Sequence, residues 1–590
     1  MNKVIKTNIF LFLLILILLI TIISFSFAYF NANILSNETN TTITTGSGIM
    51  EITYSSGDVI NITNVFPNNN PFVIKEFTIT GKNSNDENMH YHLLLVLDEN
   101  TFRSSALTYT LISNNIDDNG YTVPEIITQT GIKTDKREIF LGNGMFTPTN
   151  NEDKVHSYTL KLYFPKIENF EHGIDQGKIF KAHIETREGK VYPGYNPEKG
   201  VNHPVLFTGM KPIVWDENNT ESFTTEDDPS WYDYNEKRWA NAKSADGSYW
   251  VWIPRYAYKI ETCYHMSGED CLNLTGKEAG DIDIKFLKSN TNFTEDGTII
   301  ETTGYIPHEK DTSMHHFLHP AFKFNGEELG FWVAKFEPSP KEGLSTIGNE
   351  CDELDNVSTK TIEVKPNSNP WRCVSNYNAF KATLNMRNKS LYGWLPSELD
   401  SHMATNIEWG ALVYLSRSNY GADNEIWNNS YLDFKTGCAG SSVDAISENI
   451  CNEYNTSLGI MASTTYNIYG VYDTSGGSEE RTMANRYYEI AKSGFNLKEL
   501  MGLEAKYITR YEEKDGLVYG DAIYETSGET GAYSSWFRDN SVFPSLLNGW
   551  FHRGGHINAE LRGGIFYYQD SSGSPRYINT FRPILTPLIP

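Results

Sequence analysis

A chain of 590 residues with a formal charge of −25 is too long for one hydrophobic core and too acidic for a phosphate backbone, whose affinity comes from Lys and Arg releasing counterions. Hydrophobic residues make up 39% and aromatics 13%, which is ample for packed cores and excludes wholesale disorder. The 35 Tyr, 31 Phe, 12 Trp and 45 Gly suit a β-rich, turn-rich architecture of roughly three to four domains.

Lys3 and Lys6 precede an almost unbroken apolar run from Ile9 to Phe30. That run approaches the ~20 residues a membrane-spanning helix requires. Positive charge ahead of it holds the N-terminus inside and sends the remainder out. Ser26-Phe27-Ala28 puts small residues where a signal peptidase cuts, while the length of the run suits an uncleaved anchor equally well. Residues 1–30 are therefore a signal peptide or a transmembrane anchor. Both readings place the protein outside the cell, secreted or membrane-anchored at the surface. Residues 31–47, rich in Asn, Thr and Ser, read as a flexible tether.

From 48 to 205 the pattern is strand after strand. Met50, Ile52 and Tyr54 alternate with polar residues, as do Phe77 and Ile79, then Leu160, Leu162 and Phe164, then Phe180, Ala182 and Ile184. Pro67-Asn68-Asn69-Asn70 and Gly142-Asn143-Gly144 punctuate these runs. Period-two alternation with regular turns predicts a β-sandwich. The phrases Phe27-Ala28-Tyr29-Phe30, Gly48-Ile49-Met50-Glu51-Ile52 and Phe77-Thr78-Ile79-Thr80-Gly81-Lys82-Asn83 resemble camelysin and related biofilm-fibre proteins of bacterial surfaces. That resemblance implies a structural or spacer role.

Near 210 the texture changes to an aromatic-rich segment with Trp215, Trp231, Trp239, Trp250 and Trp252. Tyr249–Tyr256 reads as a buried strand that Pro254 ends or places at an edge. Six cysteines fall in neighbouring pairs, Cys263 with Cys271, Cys351 with Cys373 and Cys438 with Cys451. Fifteen pairings are open to six cysteines, and nearest-neighbour disulfides are preferred over zinc because no C-x-x-C spacing is present and the location is oxidising. Residues 266–310 read as a polar insertion closed by the first pair.

Four phrases then follow in order. Gly330–Glu337 reads as a strand. In Ser401–Leu415, the spacing of Ile407, Ala411 and Tyr414 predicts a short amphipathic helix. Gly470–Glu480 reads as a strand and glycine-rich loop. The end runs Trp550-Phe551-His552-Arg553-Gly554-Gly555, Gly564-Ile565-Phe566-Tyr567-Tyr568 and Phe581-Arg582-Pro583-Ile584-Leu585. This order resembles the formylglycine-generating-enzyme (sulfatase-modifying-factor) superfamily, a variant of the C-type lectin fold. The expected fold class is mainly β with an α+β C-terminal part, residues 210–590 forming the lectin-like domain with disulfide-closed insertions.

The Arg-Gly-Gly strand, apolar strand and closing Phe-Arg-Pro are similar to the variable proteins of diversity-generating retroelements. In those proteins a fixed scaffold carries a C-terminal recognition surface. By that resemblance the ligand-binding residues here are His556, Asn558, Glu560, Arg562, Tyr568, Asp570, Ser572, Ser574, Arg576, Tyr577 and Asn579. Tyr with Ser, Asn and Gly also suits recognition by composition alone. The expected partner is a protein or glycan on another cell or host surface, and no nucleic acid.

Formylglycine-generating enzymes bind copper through a late pair of cysteines, and this chain has no cysteine after Cys451. The enzyme reading thus loses its cofactor site, and no catalytic residue or cofactor is assigned. An enzyme of altered chemistry and a structural fibre subunit stand as the alternatives. His315 and His319 have helical metal-binding spacing, but Pro320 would stop that helix and no Glu lies between them, so a strand-turn with incidental histidines is favoured. Glu479, Glu480 and Arg481 read as a solvated charge cluster. Asp216 and Glu226-Asp227-Asp228 could ligate calcium, which lectin-like folds frequently hold, but match no defined calcium loop.

Overall fold

The computed structural model describes residues 41–588 apart from 45–48, 58–59, 64–65, 83–87, 103–105, 133–137, 167–174, 176, 190, 192–193, 227, 267–270, 272–278, 301–314, 325, 512–517, 529–530, 532–533 and 559–562, with the backbone alone for 41–57. The expected helix of 1–30 and most of the tether lie outside the described residues. Among the described residues no helix is long and apolar enough to cross a membrane. The chain divides into two compact units, Met1–Pro193 and Gly194–Pro590.

The first unit is two antiparallel sheets. One runs in the order Thr41–Thr44, Ile49–Gly57, Asn68–Lys82, Lys154–Phe164, Thr108–Asn115, Ile126–Gly131. The other runs Asn61–Thr63, Ile179–Glu188, Met89–Asn100, Glu138–Phe146. Alternation does what the sequence predicts: Phe180, Ala182 and Ile184 from one sheet and Leu160, Leu162 and Phe164 from the other enter one shared apolar core. Facing sheets each bury one side of their pleat there, and the opposite positions take polar residues.

The second unit is built on a seven-stranded sheet. Its order is Glu221–Phe223, Lys211–Trp215, Asn241–Lys243, Tyr249–Pro254, Gly330–Ala334, Pro583–Pro587, Leu399–Met403. Tyr249–Pro254 is buried throughout, and Pro254 ends a central strand rather than lying at an edge. Ile282–Phe286, inside the segment expected to be a polar insertion, instead pairs with Tyr256–Ile260. A second sheet centres on Glu479–Arg486, which pairs with Thr509–Tyr511, Trp550–Arg553 and Asn579–Phe581, and Trp550–Arg553 pairs on to Tyr568–Ser571. Gly470–Ser478 is a turn, so the strand follows the glycine loop rather than preceding it.

The expected helix is Asn406–Ser416, but it is not amphipathic, because every residue except Ile407 is buried. It is packed on three sides: Tyr256 donates its hydroxyl to Ala411 O (2.7 Å), and Trp409 donates Nε1–H to Ile565 O (2.9 Å). On a third side, a Cβ at Gly410 would lie 1.9 Å from Gly520 O. Thr405 caps its start in a capping box with Glu408. Glu408 also receives Nε2 of the buried His402 (2.7 Å), on whose ring Phe324 stacks at 4.2 Å.

All six cysteines are paired as neighbours, 263–271, 351–373 and 438–451, and such bridges mark an oxidising compartment. His319 is buried and caps the Pro320–Lys323 turn, and His316 pairs with Asp283 (2.8 Å). Among the described residues no group of three or more His, Cys, Asp or Glu could hold a metal. Asp216 accepts the Asn218 and Thr220 amides, and Asp228 accepts the Ser230 amide, so both act as turn caps.

Two outcomes follow for stability. Intact protein should show no free thiol in a thiol-labelling assay, and C351S/C373S should lower unfolding free energy by about 2–4 kcal/mol. The second concerns His402. Burial pulls its pKa down, but the Glu408 carboxylate, which accepts its Nε2–H, and the Asp400 carboxylate 3.8 Å from Nδ1 outweigh burial and hold it at about 9. A group raised in the folded state stabilises fully below its free value near 6.5 and loses that contribution as pH climbs through 9. Urea unfolding should therefore show stability falling between pH 6.5 and 9, by on the order of 3 kcal/mol at most, and H402Q should flatten that slope. An equally steep slope in H402Q would assign the dependence elsewhere.

Candidate functional site

The glycine turn sets up the site. Gly476 and Gly477 have φ of 76° and 68°, a region that penalises a Cβ. Space forbids one too: a Cβ at Gly476 would lie 2.0 Å from Asn428 Oδ1, and one at Gly477 would lie 2.7 Å from Glu337 Oε1. Lys335, wholly buried, anchors the start of the turn by donating to Ile468 O (2.6 Å) and Gly470 O (2.8 Å). The chain leaves this turn directly into the Glu479–Arg486 strand.

Cross-strand register then gathers polar groups on one face. Arg481 lies opposite His552, His552 opposite Gln569, and Glu479 beside Asn579. Paired positions share a face and alternate positions along a strand return to it, so Glu479, Arg481, His552, Gln569 and Asn579 converge. Glu479, 4% exposed, is the hub. It accepts Asn579 Nδ2–H (2.8 Å), the Tyr567 hydroxyl (3.1 Å) and His552 Nδ1–H (3.0 Å), and His556 Nε2 stands 3.9 Å away. Burial works against its charge, but His552, His556 and the Tyr567 hydroxyl outweigh that and hold its pKa at about 2. Burial pulls both His552 and His556 below the usual imidazole range, and of the two only His552 is within hydrogen-bond reach of the carboxylate.

Arg481, fully buried, donates to Asn376 Oδ1 (2.7 Å), to Asn579 Oδ1 (3.0 Å) and to the Ser574 carbonyl. Burial lowers it to about 9, which leaves it a cation at neutral pH. Arg372 donates to Tyr577 O (2.7 Å) and lies over the Phe434 ring at 4.3 Å. The neighbouring Cys373 amide donates to Arg576 O (3.1 Å), so the 351–373 bridge steadies the 574–577 turn.

Of the residues expected to form the recognition surface, the structure brings His556, Ser574, Arg576 and Asn579 around Glu479 and Arg481. Tyr577 joins them through an apolar cluster with Phe434, Ile557 and Ile578. Arg576 and Asn558 are exposed, while His556, Asp570, Ser572, Ser574 and Tyr577 are half-buried. Glu560 and Arg562 lie outside the described residues. Two expectations of exposure fail. Tyr568 is 3% exposed, packs with Ala484, Tyr511, Ile523 and Phe551, and hydrogen-bonds Ser527 (2.8 Å). Asn579 is fully buried as the brace between Glu479 and Arg481. Asp570 points away to Asn548 Nδ2 (3.0 Å).

The larger correction is Glu479-Glu480-Arg481. Read as solvated, they are 4%, 1% and 0% exposed, because their partners arrive from distant segments. Glu480 faces the opposite side and pairs with Arg582, whose Nε–H it accepts at 2.8 Å. His552, Tyr567, Gln569, Arg372 and Asn376 were not singled out for the site. The available signal was strand alternation alone, which puts positions 479 and 481 on one face and 480 on the other.

E479A should destabilise the unit by about 3–5 kcal/mol, because it strands His552 and Asn579 as buried donors. E479Q should be milder, and R576A should lie within about 0.5 kcal/mol of the parent. Chemical denaturation checks this series, and a neutral E479A would remove Glu479 as the hub.

No protein family and no curated protein matches this chain. A solved structure described as "AvmM Catalyzes Macrocyclization in Alchivemycin A Biosynthesis" is similar over 23% of this chain and 91% of its own, at 7% identity and a TM-score of 0.10. A likeness that slight carries no argument about fold or function.

Proposed function

We propose that this chain is an exported surface protein that binds a protein or glycan ligand, without catalysis, through the C-terminal face of its Gly194–Pro590 unit. The lectin-like reading of that unit belongs to the proposal, and the two-sheet unit before it serves as a spacer. One observation carries the reading. Exposed Arg576 and Asn558, with half-buried His556 and Tyr577, stand on a buried base in which Glu479 and Arg481 are each held by several hydrogen bonds. A surface whose supports are fixed loses little entropy on binding, which is what specific recognition requires. Arg and Tyr are also the side chains that most often dominate binding energy. Three disulfides agree with display in an oxidising environment.

The test is binding of the purified full chain to host and bacterial cells and to a glycan array. Arg576→Ala combined with Asn558→Ala should weaken binding by more than tenfold, at least ~1.4 kcal/mol. The melting temperature should hold, since both positions are exposed. Unchanged binding with unchanged melting would remove this face as the site. Tyr568→Ala is a control for core damage and should lower the melting temperature.

A further inference from the structure

We propose that a cavity at the start of the Asn406–Ser416 helix binds a small carboxylate carried on a short apolar stem. The cavity measures about 230 Å³. That is below the ~300–1,000 Å³ of sites for drug-sized ligands, so it suits a single acidic group with a few carbons. It owes nothing to the C-terminal face and stands whether or not that face binds a partner.

Three independent features converge on it. The first is the helix start itself, since Thr405, Ile407 and Glu408 line the cavity. Within the eleven-residue helix, the Glu408 amide is satisfied by Thr405 Oγ1 (3.2 Å) and the Trp409 amide by Thr405 O (3.0 Å). The Asn406 and Ile407 amides have no acceptor within the helix by construction, and such amides with the helix dipole favour an anion.

The second is Thr509. It lines the cavity, is 4% exposed, and its Oγ1 is buried with no hydrogen-bond partner. A buried hydroxyl without a partner is expensive, and an acceptor placed in the cavity removes that expense. The third is Lys506, whose ammonium stands at the cavity over the Phe324 and Tyr507 rings, at 5.1 and 4.7 Å.

Charge around the cavity permits an anion. Glu408 is in the wall, but its carboxylate already receives His402 Nε2 (2.7 Å) and the Thr405 amide (2.9 Å). Asp400 is 3.1 Å from Lys506 and 3.8 Å from Arg387, and Glu504 is 3.9 Å from Lys506. Lys323 adds a further cation to the lining. Phe324, Ile407 and Ile508 make much of the remaining wall apolar, which suits an apolar stem and disfavours a strongly hydrated dianion.

Calorimetric titration of the full chain with acetate, propionate and butyrate, and with butyramide as the neutral shape control, decides the matter. Saturable binding that tightens from acetate to butyrate is expected, with butyramide at least about tenfold weaker. Thr509→Val and Lys506→Met should each weaken butyrate at least about fivefold, while Thr509→Ser, which keeps the hydroxyl, should retain it. Melting curves for each variant separate lost binding from lost folding, and Thr509→Val is close enough in shape to fold. No saturable carboxylate binding, equal binding of butyramide, or full affinity in folded Thr509→Val would overturn the proposal.

Discussion

The long unit depends on one guanidinium. Arg582 is 1% exposed and sits between Asn579–Phe581, which belongs to the second sheet, and Pro583–Pro587, which belongs to the seven-stranded sheet. It donates to Glu480 in one sheet, to Ala334 O in the other (2.6 Å), and to Tyr472 O in the glycine turn (2.9 Å). Burying such a pair is weak evidence for net stability, because desolvation offsets the attraction. Its value is positional. The observed seat of the last strand brings all of these acceptors to one buried charge, which fixes the point where the chain changes sheets.

That constraint also orients the candidate site. With Glu480 turned toward Arg582, strand alternation sends Glu479 and Arg481 to the opposite face, where His552, Asn579 and Tyr567 meet them. A single strand therefore separates two buried polar layers. The first locks the topology and the second supports a surface. Both rely on the two left-handed glycines at 476 and 477 to start the strand in phase.

Much of this was legible in the sequence where local physics decides the outcome. Phe180, Ala182 and Ile184 alternate because their sheet has one dry face, and that pattern is visible without a structure. Cysteines eight, thirteen and twenty-two positions apart pair as neighbours, the closures that a short loop makes easiest. The reading failed where partners lie far along the chain. Three adjacent charges at 479–481 look solvated because nothing nearby reveals His552 or Arg582. Tyr568 ends a stretch, 564–568, in which every residue is buried, so no period remains to tell inside from outside. The Asn406–Ser416 helix looked amphipathic from the spacing of Ile407, Ala411 and Tyr414, but Ile407 is its one residue that is not buried, and Glu408 is held inside as a cap and the partner of His402.

The seat of Pro583–Pro587 between Gly330–Ala334 and Leu399–Met403 imposes an order on synthesis. The two-sheet unit contains all its own strands within the first 193 residues and can close while the ribosome is still at work. The long unit has a gap in the middle of its main sheet until residue 587 has been made. Its Gly330–Ala334 strand waits some 250 residues for that neighbour, a large separation of the kind that slows folding. Through that interval two strand edges stand unpaired, and they are the surfaces most open to wrong pairing. A holding factor acting on this protein would therefore have the most to do late, after the two-sheet unit has closed and before Pro583–Pro587 takes its seat.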